Sequence, residues 1–169
     1  MGDVLKESAG AAMTYARSRA ELLGLDAEFH ATHDMHVHIP AGATPKDGPS
    51  AGIAIAVAMV SAMTGTPVRG DIAMTGEVTL RGRVLPIGGL KEKSVAAMRS
   101  KITDVIIPKA NAREIAELPE DVRQGVRFHP VSTMDEVLSL ALRVAPSAAV
   151  AAPSAKPIMA PTSAPVVTH

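Results

Sequence analysis

The chain has 169 residues, 17 acidic and 17 basic side chains, and no cysteine. Its length and its 47% hydrophobic content suffice for one domain with a packed core, which excludes a wholly disordered chain. The zero net charge argues against a nucleic-acid binder, and the lack of cysteine excludes disulfides, cysteine-ligated metals and thiol catalysis. A nucleophile must therefore be a serine, threonine, lysine or carboxylate.

The N-terminal half begins with apolar residues at helical spacing, which predict a helix over residues 3–23 that stops at Gly24. Residues 34–40 alternate polar and apolar side chains and predict a strand. Residues 41–52 are rich in glycine and proline and predict a loop.

Residues 51–63 are apolar on every side, which predicts a helix buried all round, ended by Gly65 and Pro67. This run is too short to span a bilayer, and the N-terminus lacks a signal-peptide pattern, so we expect a soluble, cytoplasmic domain. A short strand at 71–75 and a hairpin over 77–85 follow.

The C-terminal half alternates helices and strands. We predict a loop at 86–89, a helix at 90–99, and strands at 104–108 and 126–131. This order predicts an α/β or α+β fold with some parallel strand pairing.

Two polar pairs predict helix starts in this half. Asn111 with Glu114 is a capping-box-like start to a short helix, and Thr133 with Glu136 is a stronger capping box. Residues 144–169 are mostly Ala, Pro, Ser, Val and Thr, and predict a flexible tail without a packed core.

Ser50 is the first chemical candidate, because it lies within PKDGPSAG, residues 45–52, at the junction of the loop and the apolar helix. The start of a helix leaves backbone N–H groups unpaired, and they and the helix dipole favour an oxyanion. Gly48 and Gly52 permit close backbone approach, and Pro49 restricts the loop. Two other interpretations remain: a structural helix cap, and a general anion site. The chain has no Walker A sequence, which argues against nucleotide binding by that route.

The motif GGLKEK at residues 88–93 offers a lysine base, which must be neutral and hence buried to accept a proton. Lys91, Glu92 and Lys93 point in different directions on a helix, so at most one of them faces inward easily. A solvated charged face is the alternative interpretation.

His36 and His38 lie two residues apart, so on a strand they face one side. The pair could bind a metal ion, but no cysteine or nearby carboxylate cluster completes a ligand set. Thr75, Gly76 and Glu77 alone indicate only a turn at a strand end.

Together and in this order, the segments DMHVHIPAGATPKDGPSAG, DIAMTGEVTLRGRVLPIGGLKEK and DVIIPKAN resemble the proteolytic domain of bacterial Lon proteases. The resemblance extends over residues 2–143. It implies a compact α/β (α+β) domain with mixed sheets and flanking helices, and a serine endopeptidase that uses a Ser–Lys dyad.

The resemblance implies a role for each matching residue. Ser50 matches the nucleophile, and Lys93, rather than Lys91, matches the general base. Thr75 matches the threonine that orients the lysine amine, and backbone N–H groups at Ser50 and Ala51 would stabilise the oxyanion. Four further side chains are implied to shape or line the site: Asp47, Glu77, His36 and His38.

The same resemblance implies partners outside this domain. Full Lon proteases form hexameric rings and degrade unfolded, misfolded and regulatory proteins with an ATPase module that uses ATP and magnesium. We expect no cofactor or metal, no membrane and no nucleic acid for this domain, and we expect it to be an excised part of a larger protein. Two other classes stay open: a non-catalytic interaction domain, which intact Ser50 and Lys93 argue against, and an anion- or nucleotide-binding module.

Overall fold

The computed structural model of the protein describes residues 2–26, 28–39 and 47–143. The first helix, α1 (Asp3–Ser18), buries one stripe of side chains, including Leu5 and Tyr15. It is five residues shorter than the predicted helix 3–23, because the chain enters a series of turns after Ser18. Gly24 lies within these turns at φ 69° and does not end the helix.

A single helical turn, α2 (Phe29–Thr32), leads into residues 34–39, which join no described strand. The predicted strand is therefore wrong, although its alternation is correct. Met35, Val37 and Ile39 are half-buried against the core, whereas the intervening side chains are exposed. This alternation is typical of extended backbone, but no described strand lies beside the segment to form ladder hydrogen bonds.

A short 3₁₀ turn (Pro49–Ala51) precedes α3 (Gly52–Thr64), and Gly65 ends α3 in the left-handed conformation at φ 66°. The predicted helix is confirmed to within one residue at each end. Most of its side chains are buried, but Ala58 and Ala62 are exposed, so burial on every side is wrong. Exposing an alanine methyl group to water costs little free energy, and these short side chains leave this face of α3 accessible.

Within the part of the chain that the structure describes, five strands form two sheets. The parallel sheet has the order β1-β4-β5, with β1 (Ile72–Met74), β4 (Asp104–Pro108) and β5 (Arg127–Val131). The antiparallel pair consists of β2 (Glu77–Val78) and β3 (Val84–Leu85). All five strands fall within predicted segments, and the parallel pairing confirms the predicted α/β class.

The helix α4 (Leu90–Arg99) agrees with the prediction, but the next segment does not. Residues Lys109–Glu117 form a 3₁₀ helix that begins after Pro108, without a capping box. The side chain of Asn111 is buried and binds the backbone of Ile87 and the carboxylate of Glu114 instead.

The last two helices are α5 (Glu120–Gly125), which the sequence did not predict, and α6 (Met134–Ala141). Thr133 accepts a hydrogen bond from the Glu136 backbone N–H, and the Glu136 carboxylate accepts from the Thr133 N–H. The predicted capping box at α6 is confirmed.

The parallel sheet separates two apolar clusters. Ile106 faces the larger cluster, which includes residues of α1, α3 and α6. Val105 and Ile107 face the smaller cluster, which contains Leu90 and Ala97 of α4. Because neighbouring side chains of a strand point to opposite faces, helices cover the sheet on both sides.

A charge cluster around Asp104 joins β4 to β5. The Asp104 carboxylate accepts hydrogen bonds from His129 Nε2 at 2.6 Å, Thr103 Oγ1 at 2.8 Å and the Arg69 guanidinium Nη2 at 3.3 Å. The hydrogen bond from His129, followed by that from Thr103, holds the pKa of Asp104 below its usual range. The cluster therefore links the start of β4 to the middle of β5.

Two predicted features lie wholly or partly outside the described residues: the tail 144–169, and the first half of the loop 41–52, at residues 41–46. Among the helices of the described ranges, none is long and apolar enough to cross a lipid bilayer.

Candidate active site

Ser50 lies in the 3₁₀ turn that precedes α3 and is half-buried. It is not the cap of α3, because the cap residue is Ala51 and no side-chain hydrogen bond caps the helix. The turn itself is capped by Gly48, again without a side-chain hydrogen bond. The alternative interpretation of Ser50 as a structural helix cap is therefore wrong. Its exclusion favours the interpretation of Ser50 as a chemically active residue.

The backbone of Ser50 is fixed by the turn that joins β1 to β2. The Ser50 carbonyl accepts hydrogen bonds from the Gly76 N–H at 2.9 Å and from the Thr75 hydroxyl at 3.2 Å. In the other direction, the Ile53 N–H donates to the Gly76 carbonyl at 3.1 Å. These three bonds tie the start of α3 to the sheet.

Two glycines permit this contact in different ways. A Cβ at Gly52 would lie 3.0 Å from the Val78 backbone nitrogen, so the close approach predicted for Gly52 is confirmed. Nothing lies within 4 Å of a Cβ at Gly48, so close approach is not its role. Gly48 instead supplies φ 132°, a conformation that other residues rarely adopt.

Lys93 lies in the first turn of α4 and is half-buried, whereas Lys91 and Glu92 are exposed. This agrees with the prediction that at most one member of this charged run faces inward. The Lys93 ammonium donates to the Gly88 carbonyl at 2.9 Å. Gly89, at φ 70°, brings the loop around this amine.

Ser50, Thr75 and Lys93 line one cleft of about 420 Å³. Alanines and other small or apolar side chains from α3, β1 and α4 form most of the rest of its wall. No hydrogen bond joins the Ser50 and Lys93 side chains within the described part of the chain. The fold thus brings both residues to one cleft, and catalytic hydrogen bonds are often long in unliganded proteins.

The predicted oxyanion donors, the N–H groups of Ser50 and Ala51, belong to the last two residues of the 3₁₀ turn before α3. The Gly52 N–H is already bound to the Pro49 carbonyl, and the Ile53 N–H to Gly76. The expectation of several unpaired N–H groups at the helix start is therefore wrong for these two residues. The role of the Ser50 and Ala51 N–H groups stays a prediction.

Asp47 binds the start of α1 rather than the cleft. Its carboxylate accepts hydrogen bonds from the Leu5 N–H and the Gly48 N–H, both at 3.0 Å. The cap residue of α1 is Gly2, whose Cα lies against this carboxylate. Asp47 therefore caps α1 from a distant part of the chain and links that helix to the loop before Ser50.

The remaining implied residues surround the cleft rather than line it. Glu77 pairs with Leu85 in the hairpin and is absent from the cleft wall. His36 and His38 line a second cleft of about 380 Å³, which shares Ala51 and Ala54 with the first. The described ranges hold no group of three or more His, Asp or Glu side chains suited to a metal ion.

Two positioning contacts were missed by the sequence analysis. The Gly88 carbonyl holds the Lys93 amine, and Asn111 holds the adjoining loop. Asn111 accepts a hydrogen bond from the Ile87 N–H at 3.1 Å and donates one to the Ile87 carbonyl at 2.9 Å. The available signal was the place of Asn111 at the end of the segment DVIIPKAN.

Comparison with known proteins gives consistent matches over the folded part of the chain. A model of the Lon protease (S16) C-terminal proteolytic domain matches residues 1–144. The chain is 59% identical over 146 residues to the Lon protease of Haemophilus influenzae, which covers 86% of this chain and 18% of that protein. It is 58% identical over 146 residues to the Lon protease of Brevibacillus choshinensis, with 86% and 19% covered.

A third relative, the Lon protease of Escherichia coli, is 56% identical over 147 residues, with 87% of this chain and 19% of that protein covered. The chain therefore spans about a fifth of the length of these relatives.

Proposed function

Because this chain belongs to the family of Lon protease (S16) C-terminal proteolytic domains, we propose that it cleaves polypeptides with Ser50 as nucleophile and Lys93 as general base. The observation that carries the assignment of residues is their position in one largely apolar cleft. The absence of a capping bond from the Ser50 side chain to α3 supports it further.

The proposed reaction is acyl transfer. The neutral amine of Lys93 accepts the proton of the Ser50 hydroxyl, and Ser50 Oγ attacks the peptide carbonyl. The tetrahedral intermediate collapses as protonated Lys93 gives its proton to the leaving amine. Water then attacks the acyl-enzyme, again with Lys93 as base, and releases the new carboxyl end.

The contacts of the two side chains agree with this division of labour. The Ser50 backbone is held by Thr75 and Gly76, so its hydroxyl is left to react. The Lys93 amine donates to the Gly88 carbonyl, and in its neutral form it keeps a lone pair that can accept the Ser50 proton.

We propose that the substrates are unfolded polypeptides and short peptides, and that this domain itself needs no cofactor. We further propose that a longer cytoplasmic protein containing this domain forms a hexameric ring and couples cleavage to ATP hydrolysis. Neither a membrane nor a nucleic acid has a place in the proposed reaction.

The test is hydrolysis of a short fluorogenic peptide at high protein concentration without ATP. Ser50→Ala and Lys93→Met should each lower turnover at least about 10³-fold, because the two groups act as a unit. Two matched controls lie on the same helices: Ser61→Ala on α3 and the exposed Lys91→Met on α4. Both should keep wild-type activity.

Equal cleavage by all variants would identify a contaminant or another site. If Lys91→Met is as inactive as Lys93→Met, the assignment of the base is wrong. A serine-reactive probe should label the wild-type chain but not Ser50→Ala, whereas an anion-binding module would not be labelled at all.

A further inference from the structure

We propose that Asn111 is a positioning residue for Lys93: its buried amide fixes the loop 86–89, and through that loop it sets the place of the lysine amine. The inference rests on the proposed peptidase function, in which Lys93 is the general base. It assigns to Asn111 an effect on the rate of the chemical step, beyond any effect on stability.

The Asn111 side chain holds one residue of the loop at two points. It is buried, and its Oδ1 accepts a hydrogen bond from the Ile87 N–H at 3.1 Å while its Nδ2 donates to the Ile87 carbonyl at 2.9 Å. The same Nδ2 donates to Glu114 Oε1 at 2.6 Å. Because the donor and acceptor ends of the amide are both bound, its orientation is fixed. The Ile87 backbone is therefore held in position and in direction.

The loop has few polar contacts of its own. Among the described residues, no backbone–backbone hydrogen bond involves residues 86–88. The Ile87 side chain packs on the smaller apolar cluster, which restrains that side chain but does not set the direction of the adjoining peptide groups. Gly88 and Gly89 have no side chains to pack, and glycine has wide backbone freedom. Asn111 thus supplies the backbone contacts that the loop itself lacks.

The hold on Ile87 passes to the lysine along the backbone. The peptide group that joins Ile87 to Gly88 is planar, so a fixed Ile87 carbonyl also fixes the Gly88 N–H and Cα. The next carbonyl is that of Gly88, which accepts a hydrogen bond from the Lys93 amine at 2.9 Å. Within the described ranges this is the only hydrogen bond of that amine. A shift of the loop therefore moves the group that holds the amine.

The strand β4 supports both sides of the cleft. Asn111 follows the end of β4 by three residues. On the serine side, the Thr75 N–H donates to the Ile106 carbonyl of β4 at 3.1 Å, and the Thr75 hydroxyl donates to the Ser50 carbonyl at 3.2 Å. The serine is thus connected to β4 through Thr75, and the lysine through Asn111. Loss of the Asn111 amide breaks the connection of Lys93 and leaves that of Ser50.

The first test is steady-state hydrolysis of the fluorogenic peptide by the full chain. Asn111→Ala should lower kcat about ten- to hundredfold and leave KM within about twofold, because a misplaced catalytic group slows the chemistry without weakening substrate binding. Asn111→Asp keeps the size and an acceptor for the Ile87 N–H, but its carboxylate cannot donate to the Ile87 carbonyl, so kcat should fall here too. Val122→Ala is the matched control, because it truncates another buried side chain and leaves the hydrogen bonds of the loop in place. It should keep the wild-type kcat.

The second test asks whether Asn111 acts through Lys93. The rate at which a fluorophosphonate labels Ser50 is compared in the wild type, Asn111→Ala, Lys93→Met and the double variant, at a high probe concentration. Asn111→Ala should slow labelling about ten- to hundredfold when Lys93 is present, and less than about twofold when position 93 is already methionine. A purely structural effect on the cleft would slow labelling in both backgrounds.

Each other outcome overturns the inference. If the folded Asn111 variants keep the wild-type kcat, the positioning role is wrong and the peptidase assignment stands. If Val122→Ala loses kcat as they do, or if Asn111→Ala slows labelling equally in both backgrounds, Asn111 supports the fold rather than the lysine. Unfolding of both Asn111 variants, as measured by urea midpoints, would likewise assign Asn111 to stability alone. If the wild-type chain neither cleaves the peptide nor is labelled at Ser50, the proposed function fails, and the positioning role fails with it.

Discussion

Replacing Asp47 with alanine should lower the free energy of unfolding by about 1 kcal/mol, the usual worth of a helix N-cap. The Asp47 carboxylate accepts hydrogen bonds from the Leu5 and Gly48 N–H groups, both at 3.0 Å. Gly2, the cap residue of α1, offers no side chain for this purpose. The negative charge at the positive end of α1 adds a few tenths of a kcal/mol, reduced by the exposure of Asp47.

Urea unfolding at neutral pH measures this loss as a lower midpoint with an unchanged slope. Asp47→Asn keeps an acceptor oxygen but loses the charge, so its cost should be roughly half that of alanine. A change of less than about 0.3 kcal/mol for Asp47→Ala would refute the capping argument, since it would fall below the range for N-caps.

Gly2→Ala tests the same contact from the other side. A Cβ at Gly2 would overlap the Asp47 carboxylate, which would have to leave the start of α1. The two substitutions should therefore be non-additive: Gly2→Ala should cost less than half as much when Asp47 is already alanine. Full additivity would mean that the two residues do not share an interaction.

Two further predictions concern stability. Asp104→Asn should cost about 1–3 kcal/mol at pH 7, because it weakens the hydrogen bond from His129. Since the pKa of Asp104 is lowered in the folded protein, its contribution is complete above about pH 4 and is lost as pH falls through the folded pKa. Urea unfolding should show a smaller difference in the free energy of unfolding between the wild type and Asp104→Asn at pH 3 than at pH 7. The same difference at both pH values would contradict this prediction. Gly82→Ala should cost about 2–4 kcal/mol, because φ is 75° and the new Cβ would lie 2.5 Å from the buried Tyr15 ring. Gly65→Ala, at φ 66° with nothing within 4 Å of its new Cβ, should lower the free energy of unfolding by only about 1 kcal/mol in the same assay. If Gly82→Ala and Gly65→Ala are equally destabilising, the overlap with the Tyr15 ring contributes nothing.

Local patterns predicted the parts of the fold whose stability is local or fully buried. The helix at 90–99 and the strand at 104–108 agree with the structure residue for residue. The capping box at Thr133 also agrees, because both of its hydrogen bonds join residues three apart in sequence. Predictions failed where a distant partner decides the structure. Residues 34–39 have the pattern of a strand, but a strand also needs a neighbour, and single-sequence periodicity does not supply one.

In the candidate active site too, local motifs were predictive and contacts between distant residues were not. The PKDGPSAG and GGLKEK motifs identified the two residues that share the cleft, Ser50 and Lys93. The sequence did not reveal that Thr75 binds the Ser50 carbonyl rather than the amine, or that Asp47 caps α1. Both contacts join residues separated by 25 or more positions, and no local pattern encodes them.

The two proposed catalytic residues are positioned by separate contacts. Ser50 is held by the β1–β2 turn at Thr75 and Gly76. Lys93 is held by Gly88, in a loop that Asn111 fixes from the far side. Because no direct bond joins the pair within the described residues, the distance between them is set by how α3 and α4 are held around the edge of β1. A change in that packing can bring the amine to the hydroxyl or withdraw it without breaking either set of contacts. The proposed peptidase activity would therefore vary with the surroundings of this domain while its fold stays the same.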